Sequence, residues 1–237
     1  MKTKSKYFNF NELSQQRGSV SIAEHRGWNG LSITKLKISK GIELWKTFVA
    51  YTENDLTGQE KILLLTQGML EIKSEDYKFS LGQYDAMNFF SRLQDHQMRC
   101  LKDSIAFIIS VPNDLKLFTA GKPILFNFKK DLESRNLWGN KCISTPYEGH
   151  GLTLVLFELK EDFKFEDRGH TNEQITWLIS GSMDFYANDE HRTMTSEVGV
   201  DIGFNHVHGG VSNGAVGFDA FFPKKQEVKY KTKEIER

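Results

Sequence analysis

Residues 168–185 read RGHTNEQITWLISGSMDF: a polar segment with one histidine, an apolar run, a glycine and a second, alternating run. Met183 and Phe185 alternate with the polar Asp184, which is the period-two pattern of a strand with one buried face. A glycine between two such runs, here Gly181, is typical of a turn. The stretch therefore predicts two β-strands joined by a turn at Gly181, with polar side chains leading into the first strand.

The same pattern occurs earlier in the chain, where residues 61–72 read KILLLTQGMLEI. Three anchors recur at an offset of 111 to 113 residues: Gly68 with Gly181, His96 with His208, and Pro112 with Pro223. Each unit then reads as strand, glycine turn, strand, second glycine turn, histidine, strand and proline. A repeat of this length predicts two tandem copies of one β-rich unit.

Short β-rich runs separated by turn residues fill the rest of the chain, whereas helical periodicity is scarce. The runs from which we predict strands are 31–38, 45–51, 61–66, 69–73, 77–81, 106–111, 152–159, 174–179, 183–187 and 216–222. Residues 113–140 are expected to link the two copies and to include a short helix at 129–137. This distribution indicates an all-β sandwich or barrel in each copy.

The composition excludes several classes of partner. Lys plus Arg and Asp plus Glu both number 31, so the net charge is zero, whereas a nucleic-acid-binding protein needs clustered positive charge. No apolar run approaches the ~18 residues of a membrane helix. Cys100 and Cys142 form no CxxC pair, which excludes a zinc ribbon and fits a reducing compartment. We therefore expect a cytoplasmic protein whose partner is a small molecule rather than nucleic acid or a membrane.

Two motifs of the second copy resemble those of the cupin family. The first cupin motif has a His-x-His pair, then Glu or Gln, then an apolar strand that ends in glycine, and residues 168–181 are similar to it. Residues 199–209, which include His206 and His208, resemble the second motif, which supplies a further histidine. The resemblance implies an all-β chain of two tandem cupin barrels, each a double-stranded β-helix or jelly roll. It assigns residues 1–119 to the N-terminal barrel and residues 120–237 to the C-terminal barrel.

Among cupins, the C-terminal half is most similar to the bicupin isomerase family of the bacilysin pathway. Residues 172–175, the pair His208 and Gly209, and residues 221–223 carry this similarity. The resemblance implies one divalent metal in a jelly-roll barrel and the isomerisation of a small cyclic keto acid.

His170, Gln174 and His208 are the metal ligands that the sequence predicts. If residues 168–174 were extended, residues two apart would share a face, and barrel closure would turn that face inward together with His208. Three neutral ligands leave positions open for water and substrate, as in a catalytic metal site. Imidazole and amide donors suit one divalent transition metal, Fe, Mn, Co, Ni or Zn, and the sequence does not choose among these ions. Glu173 is the alternative to Gln174 if the strand contains a bulge.

Arg168 and His206 are the predicted catalytic residues. Arg168 stands where the cupin motif has its first histidine, and its guanidinium could hold a substrate carboxylate in a bidentate pair. The alternative for Arg168 is a surface ion pair with Asp167 or Glu166. His206 can titrate near neutral pH and is the candidate base by its spacing from His208, although it could equally be a fourth ligand.

The first copy lacks these ligands. Residues 57–61 read TGQEK at the position of residues 170–174, and only His96 remains. We therefore predict a metal-free N-terminal barrel that serves structural support or dimerisation, and we expect a homodimer.

These patterns favour a metal-dependent bicupin enzyme that acts on a small polar or anionic molecule. The leading hypothesis is an isomerase in which the metal polarises a carbonyl and a base moves a proton next to it. One alternative is an Fe(II) dioxygenase with the same ligands. The other is a non-catalytic module that binds a small molecule or mediates dimerisation, because both copies have lost ligands of the family motif.

Overall fold

A computed structural model describes residues 4–44, 59–75, 77–89, 97–112 and 123–224 of the chain. This part of the chain is nearly all β-structure, with one short helix, α1 (Phe10–Leu13). Its strands are β1 (Lys6–Asn9), β2 (Ser14–Arg17), β3 (Val20–Arg26), β4 (Ser32–Ile38), β5 (Gln59–Lys73), β6 (Lys78–Leu81), β7 (Asp85–Phe89), β8 (Gln97–Pro112), β9 (Ile124–Asn127), β10 (Arg135–Leu137), β11 (Cys142–Glu148), β12 (Thr153–Asp167), β13 (Glu173–Ser180), β14 (Met183–Ala187), β15 (Glu190–Met194), β16 (Val198–Ile202) and β17 (His208–Phe222). None of the described residues belongs to a helix that is long and apolar enough to cross a membrane.

The chain divides into two compact units. The first, which we call the N-terminal barrel, contains residues 12–25 and 32–131. The second, which we call the C-terminal barrel, contains residues 1–11, 26–31 and 132–237. This division differs from a single cut after residue 119 because two short early segments pack with the later part of the chain; β1, for example, pairs with β16.

Both barrels contain the same path of six strands. In the N-terminal barrel the order is β7-β5-β8-β4-β3-β2, and β9 extends this sheet beside β7. In the C-terminal barrel the order is β16-β13-β17-β12-β11-β10, and β1 extends it beside β16. Each strand has its counterpart in the other barrel, so the predicted repeat and the predicted all-β fold of two tandem barrels are confirmed.

Alternate residues of the strands point into each barrel and form its core. In the N-terminal barrel these include Leu36 of β4 with Leu63 and Leu65 of β5. In the C-terminal barrel they include Leu178 of β13 and Ile202 of β16. A fully buried Leu or Ile contributes roughly 1.5–3 kcal/mol to stability. The two apolar cores therefore hold the frame on which the polar groups of the site are placed.

The predicted short helix at residues 129–137 is wrong. Residues 128–131 form turns, and β10 begins at Arg135. Asn127 Oδ1 accepts a hydrogen bond from the Lys129 amide (2.9 Å), and Asp131 Oδ2 accepts one from the Asn127 amide (2.7 Å). Asn and Asp side chains that bond locally to the backbone compete with helix formation, which explains the turn.

The two anchor glycines of the repeat have different roles. Gly181 separates β13 from β14 with φ +74°, as predicted for a turn. Gly68 lies inside the continuous strand β5 with φ +91°, where the pairing register with β8 shifts. A bulge of this kind bends a strand without ending it, so the predicted turn at Gly68 is wrong. The predicted strand at 183–187 coincides with β14, whereas the predicted strand at 45–51 and His96 lie outside the described residues.

Candidate metal centre

The segment that leads into β13 is a loop. β12 ends at Asp167 and β13 begins at Glu173. Between them Gly169 has φ +96°, a conformation that favours glycine, and a Cβ there would meet the backbone of Asn205. The expectation that residues 168–174 share one face of an extended strand is therefore wrong.

Three potential metal ligands nonetheless converge at the end of β12. Asp167 is paired with His208 across β12 and β17, and the ligand atoms of Asp167, His170 and His208 all lie within 4.8 Å of one another. Opposite ligands of a transition metal with bonds of ~2.2 Å are about 4.4 Å apart, so small shifts bring the three atoms around one ion. The Oε1 atom of Gln174 lies 2.7 Å from His170 Nε2 and adds a fourth donor.

Backbone carbonyl groups determine which ring nitrogen of His170 and of His208 is available to bind a metal. His170 Nδ1 lies 3.0 Å from the carbonyl oxygen of Asn172, and His208 Nδ1 lies 2.9 Å from that of His206. A carbonyl oxygen only accepts hydrogen bonds, so each Nδ1 carries a hydrogen and donates it. The Nε2 atom of each neutral ring then keeps its lone pair for a metal, which is the usual arrangement of metal-binding histidines.

The amide of Gln174 is held in one orientation. Its Nε2 donates to Thr176 Oγ1 (2.8 Å) and to Asp219 Oδ1 (3.0 Å), while Thr176 Oγ1 donates to the same Asp219 oxygen (2.6 Å). Gln174 Oε1 is therefore directed at His170 Nε2; a doubly protonated ring would donate a hydrogen bond to this oxygen, whereas a neutral ring would present a second lone pair. With the neutral ring, a divalent cation bound by both atoms would take the place of that proton, and the donor set fits a metal site on that ground.

A cavity of about 70 Å³ lies beside these donors inside the C-terminal barrel. Its lining residues are mainly aromatic and apolar: Trp138, Cys142, Ser144, Phe157, Leu159, Phe163, Phe165, Asp167, Gln174, Thr176, Met183, Phe185, His208, Asp219 and Phe221. Gln174 and His208 are only 5% and 3% exposed. Asp167, Gln174 and His208 therefore lie at the wall of a small, mostly apolar chamber, the surroundings expected of a small-molecule site.

The charges of the cavity come from two carboxylates. Asp167 and Asp219 are its acidic residues, and none of the described residues that line it is a Lys or Arg. Burial, and secondly the charge of Asp219, raises the pKa of Cys142 to about 12, so this thiol is a neutral part of the wall at ordinary pH. A divalent ion would balance the two carboxylates.

The structure brings together the three predicted ligands and adds one that sequence reasoning missed. His170, Gln174 and His208 lie around one point, and Asp167 joins them. Asp167 was missed because the family motif directs attention to the next residue, Arg168, as the place of the absent histidine. The available signal was a carboxylate directly before Arg168 and three residues before His170.

The structure does not bring the two predicted catalytic residues into the cavity. Arg168 is exposed in the loop after β12 and is not among the described lining residues. Its neighbour Asp167 instead accepts a hydrogen bond from the Gly169 amide (2.9 Å). The Nδ1 atom of His206 lies 2.8 Å from Ser5 Oγ, so this ring is directed at an early segment of the chain.

Glu173, the predicted alternative ligand, has a structural role. Its carboxylate is 1% exposed and accepts hydrogen bonds from the amides of Asn29 (3.0 Å) and Leu31 (3.3 Å). A Cβ on Gly27 would meet Glu173 Oε1, so the glycine permits this close approach. Burial raises the pKa of Glu173 despite these bonds. The carboxylate therefore anchors the loop at residues 27–31 and is not available to a metal beside Gln174.

Gly209 and Gly210 let larger side chains meet across β17. On one face, Tyr186 Oη donates to Glu166 Oε2 (2.8 Å) over Gly209, and a Cβ on Gly209 would meet Tyr186 Oη at 2.8 Å. On the other face, the ring centres of Phe165 and Phe185 lie 6.2 Å apart beside Gly210, and both phenylalanines line the cavity. The glycine pair therefore shapes the cavity wall next to His208.

The sequence matches no family model and no curated protein. Solved structures match its fold. YlbA from E. coli superposes with a TM-score of 0.69 over 95% of this chain and 93% of that chain, at 11% identity. A Pseudomonas aeruginosa protein whose name refers to induction by glyoxylate gives 0.72 over 98% and 94%, at 9% identity. Oxalate decarboxylase from Bacillus subtilis, described with Mn(II) centres, gives 0.68 over 98% and 80%, at 9% identity.

Identities of this size establish the fold and no more. The matched proteins are cupin-fold proteins, and the match covers nearly the whole of this chain. The similarity expected to the bacilysin-pathway isomerase family stays a prediction. The chain has the cupin fold in two tandem barrels, and the C-terminal barrel contains the candidate metal centre.

Proposed function

We propose that this protein is a metal-dependent enzyme that binds one divalent transition metal in its C-terminal barrel and isomerises a small carbonyl compound there. The observation that carries the proposal is the convergence of Asp167, His170, Gln174 and His208 beside a small apolar cavity. When bound, the metal would polarise a carbonyl oxygen as a Lewis acid. The residues of the chain supply the binding, the orientation and the proton transfer.

The donor set narrows the choice of metal. Two imidazoles, one carboxylate and one amide oxygen suit Mn, Fe, Co, Ni or Zn, whereas a tight Cu(I) site would need sulfur ligands. The Mn(II) centres named for oxalate decarboxylase give manganese a place among the first ions to try. The second-layer bonds to Asn172 and His206 orient the two imidazoles before the metal arrives.

The cavity sets limits on the substrate. One water needs about 10–15 Å³ of such a volume, so a cavity of about 70 Å³ has room for a molecule of only a few heavy atoms. Its aromatic walls favour an apolar body and exclude water from the reacting atoms. Because no described lining residue is cationic, a substrate carboxylate would be held by the metal and not by the exposed Arg168.

Asp219 is the group that we assign to proton transfer, in place of His206. It lines the cavity and is the acidic lining residue outside the three-residue metal group. It already accepts hydrogen bonds from Gln174 and Thr176, which fix its position at the cavity wall. A fixed carboxylate beside the substrate could accept a proton from the carbon next to a carbonyl and return it to another carbon.

An Fe(II) dioxygenase is the second candidate, and Asp167 is the observation that favours it. Two histidines with one carboxylate form the ligand set of many non-haem Fe(II) oxygenases, and His170, His208 and Asp167 form such a group beside this cavity. The isomerase and the dioxygenase would use the same metal ligands, but only the dioxygenase would consume oxygen. Oxygen uptake therefore indicates the dioxygenase, and hydrogen exchange with solvent indicates the isomerase.

The test is a reaction assay in D₂O. The full chain, loaded in turn with Mn, Fe, Co, Ni and Zn, is incubated with a panel of small keto acids and ketones and followed by proton NMR and an oxygen electrode. An isomerase incorporates deuterium next to the carbonyl without consuming oxygen, and His208→Ala abolishes this. The matched control is His191→Ala on exposed β15. Oxygen uptake with Fe(II) alone would support the dioxygenase, and no metal-dependent reaction with any compound would support the non-catalytic module.

We also propose a homodimer, which rests on the family resemblance. Light scattering of the full chain gives the mass directly. A mass of two chains supports the proposal, and a mass of one chain overturns it.

A further inference from the structure

Lys61 occupies in the N-terminal barrel the position that Gln174 occupies in the C-terminal barrel. Each residue stands seven positions before its anchor glycine, Gly68 or Gly181, and each lies near the start of the corresponding strand, β5 or β13. Lys61 shares its strand face with Leu63, which belongs to the buried core. Its side chain is therefore placed on the interior face of the barrel.

Three hydroxyl side chains lie on the same face, across β8 and β4. Lys61 is paired with Ser110 of β8, and Ser110 is paired with Ser32 of β4. Residues directly opposite one another in antiparallel strands point to the same side. Thr34, two residues after Ser32, shares that side, and these three hydroxyl residues are half-buried. The wall beside Lys61 is therefore polar and reachable from solvent, unlike the closed apolar core below it.

The ammonium group of Lys61 has no compensating partner among the described residues. The side chain is 3% exposed, and burial alone lowers its pKa to about 8. At pH 7.5 roughly a quarter of such an amine is neutral, against roughly one in a thousand for an ordinary lysine. The adjacent carboxylate of Glu60 lies on the opposite strand face, where it accepts a hydrogen bond from Asn88 Nδ2 (2.8 Å). A buried, partly neutral amine is a nucleophile.

Lys35 shows that a buried lysine of this barrel need not point into the barrel interior. It is also nearly buried, at 4% exposure, and it lies in the same barrel. Its position alternates with the inward-facing Thr34 and Leu36, so it faces the other side of β4, where its Nζ lies 5.9 Å from the centre of the Phe107 ring. Lys35 is therefore an internal control for a lysine that is buried but not directed into the barrel.

We propose that Lys61 is the nucleophilic amine of a second, metal-independent site, which condenses reversibly with a small aldehyde or ketone. The neutral amine attacks the carbonyl carbon and forms a C–N bond, and a proton passes from nitrogen to oxygen to give a carbinolamine. Loss of the hydroxyl as water then breaks the C–O bond and leaves a C=N imine, so no oxidant or reductant is needed. Ser110, which is paired directly with Lys61, supplies a hydroxyl on the same face that could hydrogen-bond the carbonyl oxygen or the leaving water.

The experiment traps the imine in the full-length, metal-stripped protein. The chain is treated at pH 7 with limiting propanal or pyruvate and sodium cyanoborohydride, and adducts on each lysine are quantified over time by peptide mass spectrometry. We expect the rate at Lys61 to exceed that at Lys35 and at every exposed lysine by at least ~10-fold, given its larger neutral fraction. We expect Lys61→Met to remove this fast adduct, and Lys35→Met to keep it.

Equal or slower labelling of Lys61 than of exposed lysines overturns the proposal. Because the rates are compared within one wild-type protein, the result stands even if Lys61→Met fails to fold. In a parallel run with metal-loaded protein, fast labelling that is absent from the metal-stripped sample would also overturn the proposal, since the site would then depend on the C-terminal metal.

Discussion

The two barrels share a strand order and differ at the position where their chemistry is placed. In the C-terminal barrel Gln174 contacts His170 of the group Asp167, His170 and His208, whereas in the N-terminal barrel Lys61 is paired with Ser110. The residue just before this position is a buried glutamate in both barrels, Glu173 and Glu60, and in both it makes structural hydrogen bonds. The comparison teaches that the two barrels share a buried glutamate and differ in the inward residue beside it, so one frame can hold different functional side chains.

The largest effect, on metal affinity, is expected from replacing Gln174 by lysine, the residue at the corresponding position of the N-terminal barrel. Gln174→Lys removes a proposed metal ligand and introduces an ammonium group beside the imidazole of His170. Changes to second-layer partners alone typically cost 10–100-fold in metal affinity, so we expect a loss of more than ~100-fold. Competition with a chelating dye measures it, with His191→Ala as the control. Unchanged affinity would remove Gln174 from the site.

The next effect concerns the stability of the N-terminal barrel. The pKa of Lys61 is lowered from 10.5 to about 8 in the folded protein, so burying this side chain costs up to about 3 kcal/mol below pH 8. Between pH 8 and 10.5 the unfolded chain binds more protons, and this cost disappears as pH rises. We therefore expect Lys61→Met to raise the free energy of unfolding at pH 7 and its advantage to shrink by pH 10.5. Urea unfolding at both pH values, with Lys35→Met for comparison, checks this; an advantage that does not change with pH would contradict it.

A smaller effect is expected from the group that orients Gln174. Asp219→Asn weakens the hydrogen bonds that hold the amide of Gln174 and the hydroxyl of Thr176. We expect a loss of about 10–100-fold in metal affinity, and a similar loss for Thr176→Val. The N-terminal barrel should be unaffected, so the trapping rate at Lys61 serves as the control. Wild-type affinity in both variants would show that the orientation of Gln174 does not matter.

The smallest effect is expected at the glycine pair, which has no counterpart in the N-terminal barrel. Tyr186→Phe removes the hydrogen bond to Glu166 over Gly209, and a single bond of this kind is worth about 1 kcal/mol. Burial and the neighbouring Glu166 raise the pKa of Tyr186 to about 12, so this loss should be constant across neutral pH. Thermal unfolding of the variant measures it. A loss of stability well above about 1 kcal/mol would mean that this hydrogen bond also stabilises parts of the cavity wall beyond the strands that it joins.

The sequence predicts the frame better than the site, for a physical reason. Strand periodicity depends on residues close in sequence, and the repeat can be read directly from the sequence; together they led correctly to two tandem barrels. The position of Asp167 depends on the loop at Gly169, and no sequence pattern predicts the positive φ of this glycine. The direction of His206 depends on Ser5, which is 201 residues away. The site residues that the sequence did not place correctly are those whose position depends on a loop conformation or on a contact with a distant segment.

The measurement that tests the central claim most directly is the metal content of the untagged protein by inductively coupled plasma mass spectrometry. The wild-type chain, His208→Ala and Lys61→Met are each exposed to Mn, Fe, Co, Ni and Zn and freed of excess metal. We predict about one ion per chain in the wild type and in Lys61→Met, and almost none in His208→Ala. A wild-type chain without metal, or a metal that His208→Ala retains in full, would contradict the assignment of the metal centre to the C-terminal barrel.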